Sequence, residues 1–175
     1  IEKKIGKKTR AIMPVHYGGI GCQMDSIMEL AKKNNLYVVE DAAQVVGSKY
    51  LDKPLGTWGH IGCYSFHGTK NFISGEGGAI SINIKEPSIV ERAEIIRQKG
   101  TNRNKFLKGE VDKYSWVDIG SSYVPSDILM AILYSQLLEM DLIISKREVI
   151  VRNYMEKLQP LVDKGKIISM TNIPE

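Results

Sequence analysis

Residues 36–41, Leu36-Tyr37-Val38-Val39-Glu40-Asp41, form a continuous apolar run that ends in two acids. A short apolar run without polar alternation is typical of a strand that is buried on both faces. An amphipathic stretch at 24–31, with apolar residues three and four positions apart, precedes it, and a first apolar run lies at 11–15. Strand, helix and strand in this order predict a βαβ unit, a parallel sheet and hence an α/β fold.

A single lysine marks a second segment, Tyr64-Ser-Phe-His-Gly-Thr-Lys-Asn-Phe-Ile-Ser-Gly-Glu-Gly-Gly78. This lysine, Lys70, lies between two apolar runs, 61–66 and 79–84, which predict strands. Partial burial there would disfavour the ammonium form and favour an amine nucleophile. From this segment alone, a solvent-exposed lysine on a turn is an equal alternative.

The composition excludes several classes of protein. No apolar run is long enough to span a bilayer, so no membrane segment is predicted. Two cysteines, Cys22 and Cys63, form neither a disulfide framework nor a metal pattern, which favours the reducing cytoplasm. The net charge of +4 is mild, and the basic cluster at 3–10 lacks interleaved aromatic residues, so no nucleic-acid partner is predicted.

The three histidines, His16, His60 and His67, have no metal-ligand spacing. No metal site is therefore predicted, and each histidine is expected to make a local hydrogen bond. A glycine turn, Gly19-Ile20-Gly21-Cys22-Gln23-Met24, raises the alternative of a nicotinamide-dependent dehydrogenase. Met24 stands where that pattern requires its last glycine, so an ordinary turn is favoured.

Asp41 and Lys70 each stand at the end of a predicted strand, and ligands of open parallel sheets bind beyond the carboxyl ends of the strands. A lysine amine can form an imine with an aldehyde, and a carboxylate can keep a pyridinium nitrogen protonated. These are the two protein groups that a pyridoxal phosphate enzyme requires. The pair by itself is equally consistent with an unrelated cap acid and a surface lysine.

Several motifs, taken together and in order, carry a resemblance to a known family. Residues 11–18, 39–44, 65–71 and 75–78 resemble the DegT/StrS family of sugar-nucleotide aminotransferases, which are pyridoxal phosphate enzymes of fold type I. The tract at 99–123 looks most like the branch that aminates dTDP-4-dehydro-6-deoxy-D-glucose, for enterobacterial common antigen and related glycans.

The resemblance implies a role for each site residue. Lys70 would hold pyridoxal 5′-phosphate covalently and would later move a proton as the catalytic acid–base group. Asp41 would pair with the ring nitrogen, Gln44 would lie near the ring and its 3-oxygen, and Ser65 would donate a hydrogen bond to the phosphate. The expected substrates are a nucleotide-linked 4-keto-6-deoxy sugar and glutamate as amino donor. A cytoplasmic homodimer is expected as well.

The resemblance also implies an architecture, a three-layer α/β/α large domain with a mainly parallel sheet. Residues 1–125 would belong to this cofactor-binding domain, 126–158 would form one long connecting helix, and 159–175 would begin a small C-terminal domain. Residues 100–115 are polar and are expected to form a functional or partner-contacting loop.

The sequence departs from the family in ways that leave an alternative open. Both ends look truncated, and the chain covers about the middle half of a family member. Many members carry an asparagine that reaches the neighbouring subunit's cofactor, whereas Tyr123-Val124 stands in that region here. The alternative is a non-catalytic fragment or remnant that acts at most as a binding or dimerisation module.

Overall fold

The computed structural model describes residues 1–168. It contains six strands, β1 (Ala11–Ile12), β2 (Tyr37–Asp41), β3 (Lys49–Tyr50), β4 (Lys53–Pro54), β5 (Ile61–Ser65) and β6 (Gly78–Ile82). Five α-helices accompany them, α1 (Met24–Lys33), α2 (Pro87–Arg97), α3 (Arg103–Leu107), α4 (Asp127–Leu138) and α5 (Met140–Asp163). The predicted small domain at 159–175 lies partly outside the described residues.

The main sheet has four strands in the order β1-β2-β5-β6. β1 and β2 run parallel, as the βαβ pattern predicted, and β2 and β5 also run parallel. β6 returns antiparallel to β5, with Ser65 opposite Gly78. The carboxyl ends of β1, β2 and β5 therefore meet at one edge of the sheet, where the chain between β5 and β6 also lies.

Helix α1 packs on the sheet through the face that its apolar spacing predicts. Met24, Ile27 and Ala31 are buried with Val38 of β2 in one hydrophobic core. Met24 is fully buried at the first position of the helix, so a large side chain fills the place where a dinucleotide-binding turn requires glycine. The structure therefore disfavours the dehydrogenase alternative.

The polar tract at 100–115 is not a structureless loop, because it contains the short helix α3. This helix lies against α2, and Lys105 of α3 forms an ion pair with Glu91 of α2 at 2.6 Å. Five residues are too few to show a helical period, so this helix was not predicted.

The predicted single helix at 126–158 is instead two helices. Ser126 caps the N-terminus of α4: its hydroxyl accepts a hydrogen bond from the amide of Leu129 at 3.4 Å. It ends at Glu139, which has non-helical dihedral angles of φ −103° and ψ 20°, and α5 then leaves at 65° to it. Periodicity alone missed this bend, because the apolar spacing continues across it.

A second hydrophobic core lies where α4 and α5 meet the loop after β5. Phe66, Phe72 and Leu133 are its buried members, and Ile143 and Ile144 of α5 pack against it. Elsewhere the two helices leave large apolar side chains exposed, including Ile128, Tyr134 and Leu138. The two helices are therefore attached to the domain along one stripe, and much of their apolar surface has no cover within the described residues.

Within residues 1–168, no single helix is long and apolar enough to cross a membrane. The α4–α5 pair reaches the necessary length and apolarity only when both helices are counted across their bend.

Candidate active site

Lys70 lies in a compact loop that leaves the carboxyl end of β5. The amide of Lys70 donates a hydrogen bond to the carbonyl of His67 at 2.9 Å, which closes a turn. The amide of Gly68 donates to the carbonyl of Gly75 at 3.1 Å, which ties the two arms of the loop together. Lys70 is half-buried between the exposed Thr69 and Asn71. The predicted partial burial of this lysine is therefore confirmed.

Helices α4 and α5 hold the far side of this loop. The side-chain amide of Gln136 bonds to both main-chain groups of Ile73, accepting from its N–H at 3.1 Å and donating to its carbonyl at 2.6 Å. Arg147 of α5 donates to the carbonyl of Asn71 at 2.9 Å. Phe72 is only 1% exposed in the second core. Three consecutive residues after Lys70 are thus fixed from outside the loop.

Replacing Gln136 with leucine is expected to destabilise the protein by about 1–3 kcal/mol, because two partly buried main-chain groups of Ile73 would lose their partners. Urea unfolding measures this loss, and hydrogen exchange at the Ile73 amide should become faster. Gln159→Leu is the matched control, since Gln159 makes one exposed bond to Asp163 within α5. Its cost should be a few tenths of a kcal/mol. Equal losses in the two variants would contradict the anchoring role.

Asp41 and Ser65 lie on one face of the sheet at its carboxyl edge. Asp41 pairs in register with Cys63, and Ser65 follows Cys63 by two residues, so all three side chains point to the same side. One carboxylate oxygen of Asp41 accepts from the amide of Ala43 at 3.1 Å. The hydroxyl of Ser65 accepts from the amide of His67 at 3.4 Å, which leaves its own O–H free to donate.

Cys63 shares this face but does not offer a reactive thiolate. Burial raises the pKa of the Cys63 thiol, and the negative charge of Asp41 raises it further. The thiol therefore stays protonated at neutral pH, and a protonated thiol is a poor nucleophile. The amine of Lys70 is the better candidate for covalent chemistry at this edge.

Gln44 lines the same cavity as Lys70. The cavity measures about 340 Å³, and its remaining lining residues are Gly18, Thr69 and Asn71. The carbonyl oxygen of the Gln44 side chain accepts from the amide of Gly18 at 2.7 Å. Gly18 has a φ of +65°, a conformation that glycine adopts without strain, and this orients its N–H toward Gln44.

These positions fit the groups that pyridoxal phosphate needs. A half-buried amine and a side-chain amide share one cavity, and a carboxylate and a free hydroxyl stand at the same strand edge. The motifs assign Lys70 to the aldehyde carbon, Asp41 to the ring nitrogen and Ser65 to the phosphate, and these roles stay predictions. Lys70 and Gln44 both line the cavity. Asp41 and Ser65 are not among its lining residues, but they stand at the same carboxyl edge of the sheet.

The larger cavity of the described part lies elsewhere, between α2 and α3, and measures about 580 Å³. Its charged lining includes Glu91 and Lys105, which already neutralise each other at 2.6 Å. Much of the remaining lining is also charged, and it includes apolar residues such as Val90 and Ile95. Size favours this cavity, but the smaller one contains the reactive amine, and we assign the site to the smaller one.

Sequence reasoning missed Thr69, Asn71 and Gly18 as lining residues. Thr69 and Asn71 flank Lys70 in the sequence, so their place in the motif was the available signal. Thr69 is held by a hydrogen bond between its hydroxyl and Nδ1 of His67 at 3.1 Å. Gly18 ends the motif at 11–18, but that motif did not indicate its contact with Gln44.

A buried hydrogen bond between two side chains beside the site was also missed. Nε2 of His16 lies 2.9 Å from a carboxylate oxygen of Glu40, and both residues are 0% exposed. His67 makes the local hydrogen bond that was expected, to Thr69, whereas Nδ1 of His60 accepts from the amide of Val38, 22 positions away. His16 differs from His60 and His67 because its contact joins two fully buried side chains.

The ionisation of Glu40 predicts a pH dependence of stability. Burial acts to raise its pKa, but hydrogen bonds from His16 and from the amides of Gly59 and Gly56 outweigh burial and hold the pKa below the ordinary 4.5. A lowered pKa stabilises the fold above the unfolded-state value and ceases to do so as the pH falls through the folded-state value.

We therefore expect the free energy of unfolding to decrease as the pH falls below the ordinary value of 4.5. Urea titrations between neutral pH and about pH 3 measure this loss. Glu40→Gln should be less stable at neutral pH and should show a smaller change with pH. Parallel curves for the two proteins would contradict the assignment, since Asp25 and the other carboxyl groups titrate in both.

Comparison with known proteins places this geometry in a family. The family model described as DegT/DnrJ/EryC1/StrS aminotransferase family matches residues 1–172. GDP-perosamine synthase of Escherichia coli O157:H7 is 39% identical over 167 residues, which are 95% of this chain and 43% of that protein. The chain thus spans less than half the length of the curated relatives that it matches.

Solved structures agree with the fold. PseC of Helicobacter pylori, an aminotransferase involved in the biosynthesis of pseudoaminic acid, has a TM-score of 0.81 at 28% identity, over 90% of this chain and 41% of that one. Spr1654 of Streptococcus pneumoniae, solved in PLP and PMP forms, has TM-scores of 0.80 and 0.81 at 24% identity, over 90% of this chain and 43% and 45% of those chains. The predicted fold class, an α/β aminotransferase domain with a mainly parallel sheet, is confirmed, and pyridoxal 5′-phosphate is confirmed as the cofactor at the level of the family.

Proposed function

The chain belongs to the DegT/DnrJ/EryC1/StrS aminotransferase family, and on that premise we propose that the intact protein transfers an amino group to a nucleotide-linked keto sugar. The observation that carries the proposal is the half-buried residue Lys70, which shares a cavity with Gln44 at the carboxyl edge of a parallel sheet. Ligands of such sheets bind at this edge.

When bound, pyridoxal phosphate supplies an aldehyde carbon that accepts the amino group and a ring that withdraws electrons from the substrate carbon. Lys70 would hold that aldehyde carbon, and its amine, when free, would serve as the acid–base group that moves the substrate proton. The loop contacts from Gln136 and Arg147 keep the amine in place during this transfer. A positioned amine needs such support, because a small displacement slows proton transfer.

Three further residues bind and orient the cofactor. The carboxylate of Asp41 keeps the ring nitrogen protonated by a charge-assisted hydrogen bond. The hydroxyl oxygen of Ser65 accepts from the amide of His67, so its O–H is free and would donate to the phosphate. Gln44 orients the ring near its 3-oxygen, with its own side chain fixed by Gly18. Each role was predicted from the motifs, and the contacts of the described residues support it.

The substrate is a nucleotide-linked 4-keto-6-deoxy sugar, and glutamate is the amino donor. The tract at 99–123 favours dTDP-4-dehydro-6-deoxy-D-glucose and a role in common-antigen or lipopolysaccharide synthesis. The Escherichia coli relative is named for a GDP-linked sugar, so the experiment must compare dTDP-linked with GDP-linked substrates. We further propose a cytoplasmic homodimer. Exposed apolar side chains on α4, including Ile128 and Leu138, support a protein partner on that surface.

Borohydride reduction of the intact protein with pyridoxal phosphate tests the cofactor assignment. Reduction fixes the cofactor to the lysine that holds it, and peptide mapping should find the label on Lys70. The reduced label on another lysine would refute the site. With the cofactor in place, glutamate and either dTDP- or GDP-linked 4-keto-6-deoxy sugar should give an amino sugar, and the faster nucleotide identifies the substrate. Inactivity with both sugars would refute the substrate class.

The second candidate is a non-catalytic binding or dimerisation module. The exposed apolar surface of α4 and α5 favours it, because such a surface suits association more than chemistry. Sedimentation of the 175-residue chain should then show a dimer that takes up no cofactor on Lys70. Turnover by this chain alone would exclude the module.

A further inference from the structure

His16 and Glu40 form a completely buried pair that the proposed chemistry does not use. Nε2 of His16 lies 2.9 Å from Oε2 of Glu40. The same carboxylate accepts main-chain N–H groups from Gly56, at 2.7 Å, and from Gly59. A buried carboxylate with three donors is fully paired, and removal of one donor from such a group is costly.

The hydrogen bonds fix the tautomer of His16. The amide of Cys22 donates to Nδ1 of His16 at 3.1 Å, so Nδ1 carries no proton. The proton of the neutral ring must then lie on Nε2, from which it is donated to Glu40. The imidazole thus accepts on one side and donates on the other, and neither aspartate nor an aliphatic residue can reproduce both bonds.

The pair is connected to Asp41 through the main chain. Glu40 immediately precedes Asp41 in β2. The amide of His16 donates to the carbonyl of Asp41 at 3.2 Å, and the amide of Asp41 donates to the carbonyl of Pro14 at 2.9 Å. A change at His16 would therefore disturb the pairing of residues 14–16 with Asp41 at the end of β2.

The pair is connected to Gln44 through a loop. The imidazole bonds to Cys22, so it closes residues 16–22, which include the turn Tyr17–Gly19. From this turn, the amide of Gly18 donates to the side chain of Gln44 at 2.7 Å. The position of Gln44 in the cavity with Lys70 thus depends on a loop that His16 holds shut.

The turn that contains Gly59 is shaped for a close contact with the carboxylate of Glu40. A Cβ atom at Gly59 would lie 2.8 Å from the carbonyl oxygen of Val38, which is too close for any other residue. Glycine at this position lets the backbone approach β2 closely enough for its N–H to reach the carboxylate. The backbone is therefore shaped to fix Glu40 from one side while His16 fixes it from the other.

We propose that His16 and Glu40 are a positioning pair that holds Asp41 and Gln44 in place for the cofactor. This inference rests on the proposed function, because it assigns the pair to the same site. The pair touches neither cofactor nor substrate. Its effect passes through Asp41 on the strand and through Gln44 on the loop, so its loss should weaken cofactor binding and not only the fold.

Two substitutions at His16 separate its two bonds. In His16→Gln the longer amide can still donate to Glu40, whereas in His16→Asn the shorter side chain can accept from Cys22 but cannot reach the carboxylate. We expect His16→Asn to weaken pyridoxal phosphate binding by about 10- to 100-fold in the intact protein, measured by absorbance titration, since small displacements at a site have effects of this size. His16→Gln keeps the bond to Glu40 but loses the bond to Cys22, so it should weaken binding less than His16→Asn. Equal binding by wild type and His16→Asn would overturn the proposal.

A double-mutant cycle distinguishes positioning from a general loss of stability. In an Asp41→Asn background the effect of His16→Asn on cofactor affinity should shrink, because the residue through which it acts has already changed. An undiminished effect would overturn the route through Asp41. If His16→Asn does not fold, as judged by urea unfolding without cofactor, Glu40→Gln takes its place in the same cycle.

The outcome also separates this inference from the proposed function. If the wild-type protein takes up no reducible cofactor on Lys70, both fail together. If the wild type binds the cofactor and the His16 and Glu40 variants bind it equally well, only the positioning pair fails.

Discussion

Lys70→Arg is expected to abolish the reducible attachment of pyridoxal phosphate and to lower the rate of amino transfer by at least about 1,000-fold. Positioned acid–base groups contribute about 100- to 10,000-fold, and this variant also loses the covalent link. Arginine keeps the positive charge, but its guanidinium stays protonated and cannot act as an amine nucleophile. The effect therefore tests the amine and not the charge. Borohydride labelling and single-turnover kinetics with glutamate measure the two losses separately.

Lys49→Arg is the matched control for this experiment. Lys49 is an exposed residue of the β3–β4 hairpin and has no part in the cavity of Lys70. Labelling and turnover in this variant should equal those of wild type. If Lys70→Arg kept more than about a tenth of the wild-type rate, another group would have to carry the proton, and the catalytic assignment of Lys70 would be wrong.

Phe72→Ala is expected to lower the free energy of unfolding by about 3–5 kcal/mol, the usual cost of removing a buried aromatic ring. Phe72 is 1% exposed and packs with Phe66 and Leu133 in the core that joins the lysine loop to α4. Domains have total stabilities of about 5–15 kcal/mol, so this single change would remove a large fraction. Urea unfolding followed by the fluorescence of Trp58 and Trp116 measures it.

The same variant should also weaken cofactor binding, because Phe72 stands two residues after Lys70 and anchors its loop. Phe106→Ala is the control, since Phe106 is 42% exposed on α3 and contacts Tyr114 at a ring distance of 6.2 Å. It should cost about 1 kcal/mol or less and leave cofactor affinity unchanged. A small loss in Phe72→Ala would mean that the loop is held mainly by the bonds from Gln136 and Arg147.

Lys70→Arg and Phe72→Ala change different properties of the same site. Lys70 contributes its amine, and the second core decides where that amine stands. Activity lost in Lys70→Arg at unchanged stability, and stability lost in Phe72→Ala, would together show that chemistry and positioning are separable. The two hydrogen bonds between Gln136 and Ile73 connect the lysine loop with the second core, because they join α4 to the loop just beyond Lys70 and Phe72.

The sequence by itself determined the local framework and the chemical residues. The run at 36–41 and the spacing at 24–31 were enough for the βαβ unit, since a helix and a buried strand each repeat over a few neighbouring residues. Several short motifs in order, each readable from neighbouring residues, predicted the cofactor through the family resemblance. Nothing in these short-range signals depended on distant parts of the chain.

Only the tertiary structure decided which distant groups support the site. His16 meets Glu40 across 24 positions, and Gln136 meets Ile73 across 63. The bend at Glu139 is also a tertiary feature, since the apolar spacing runs through it without interruption. Such contacts depend on how separate elements pack against one another. No local period or propensity carries that information, so candidate site residues could be predicted from the sequence, whereas the distant contacts that support them could not.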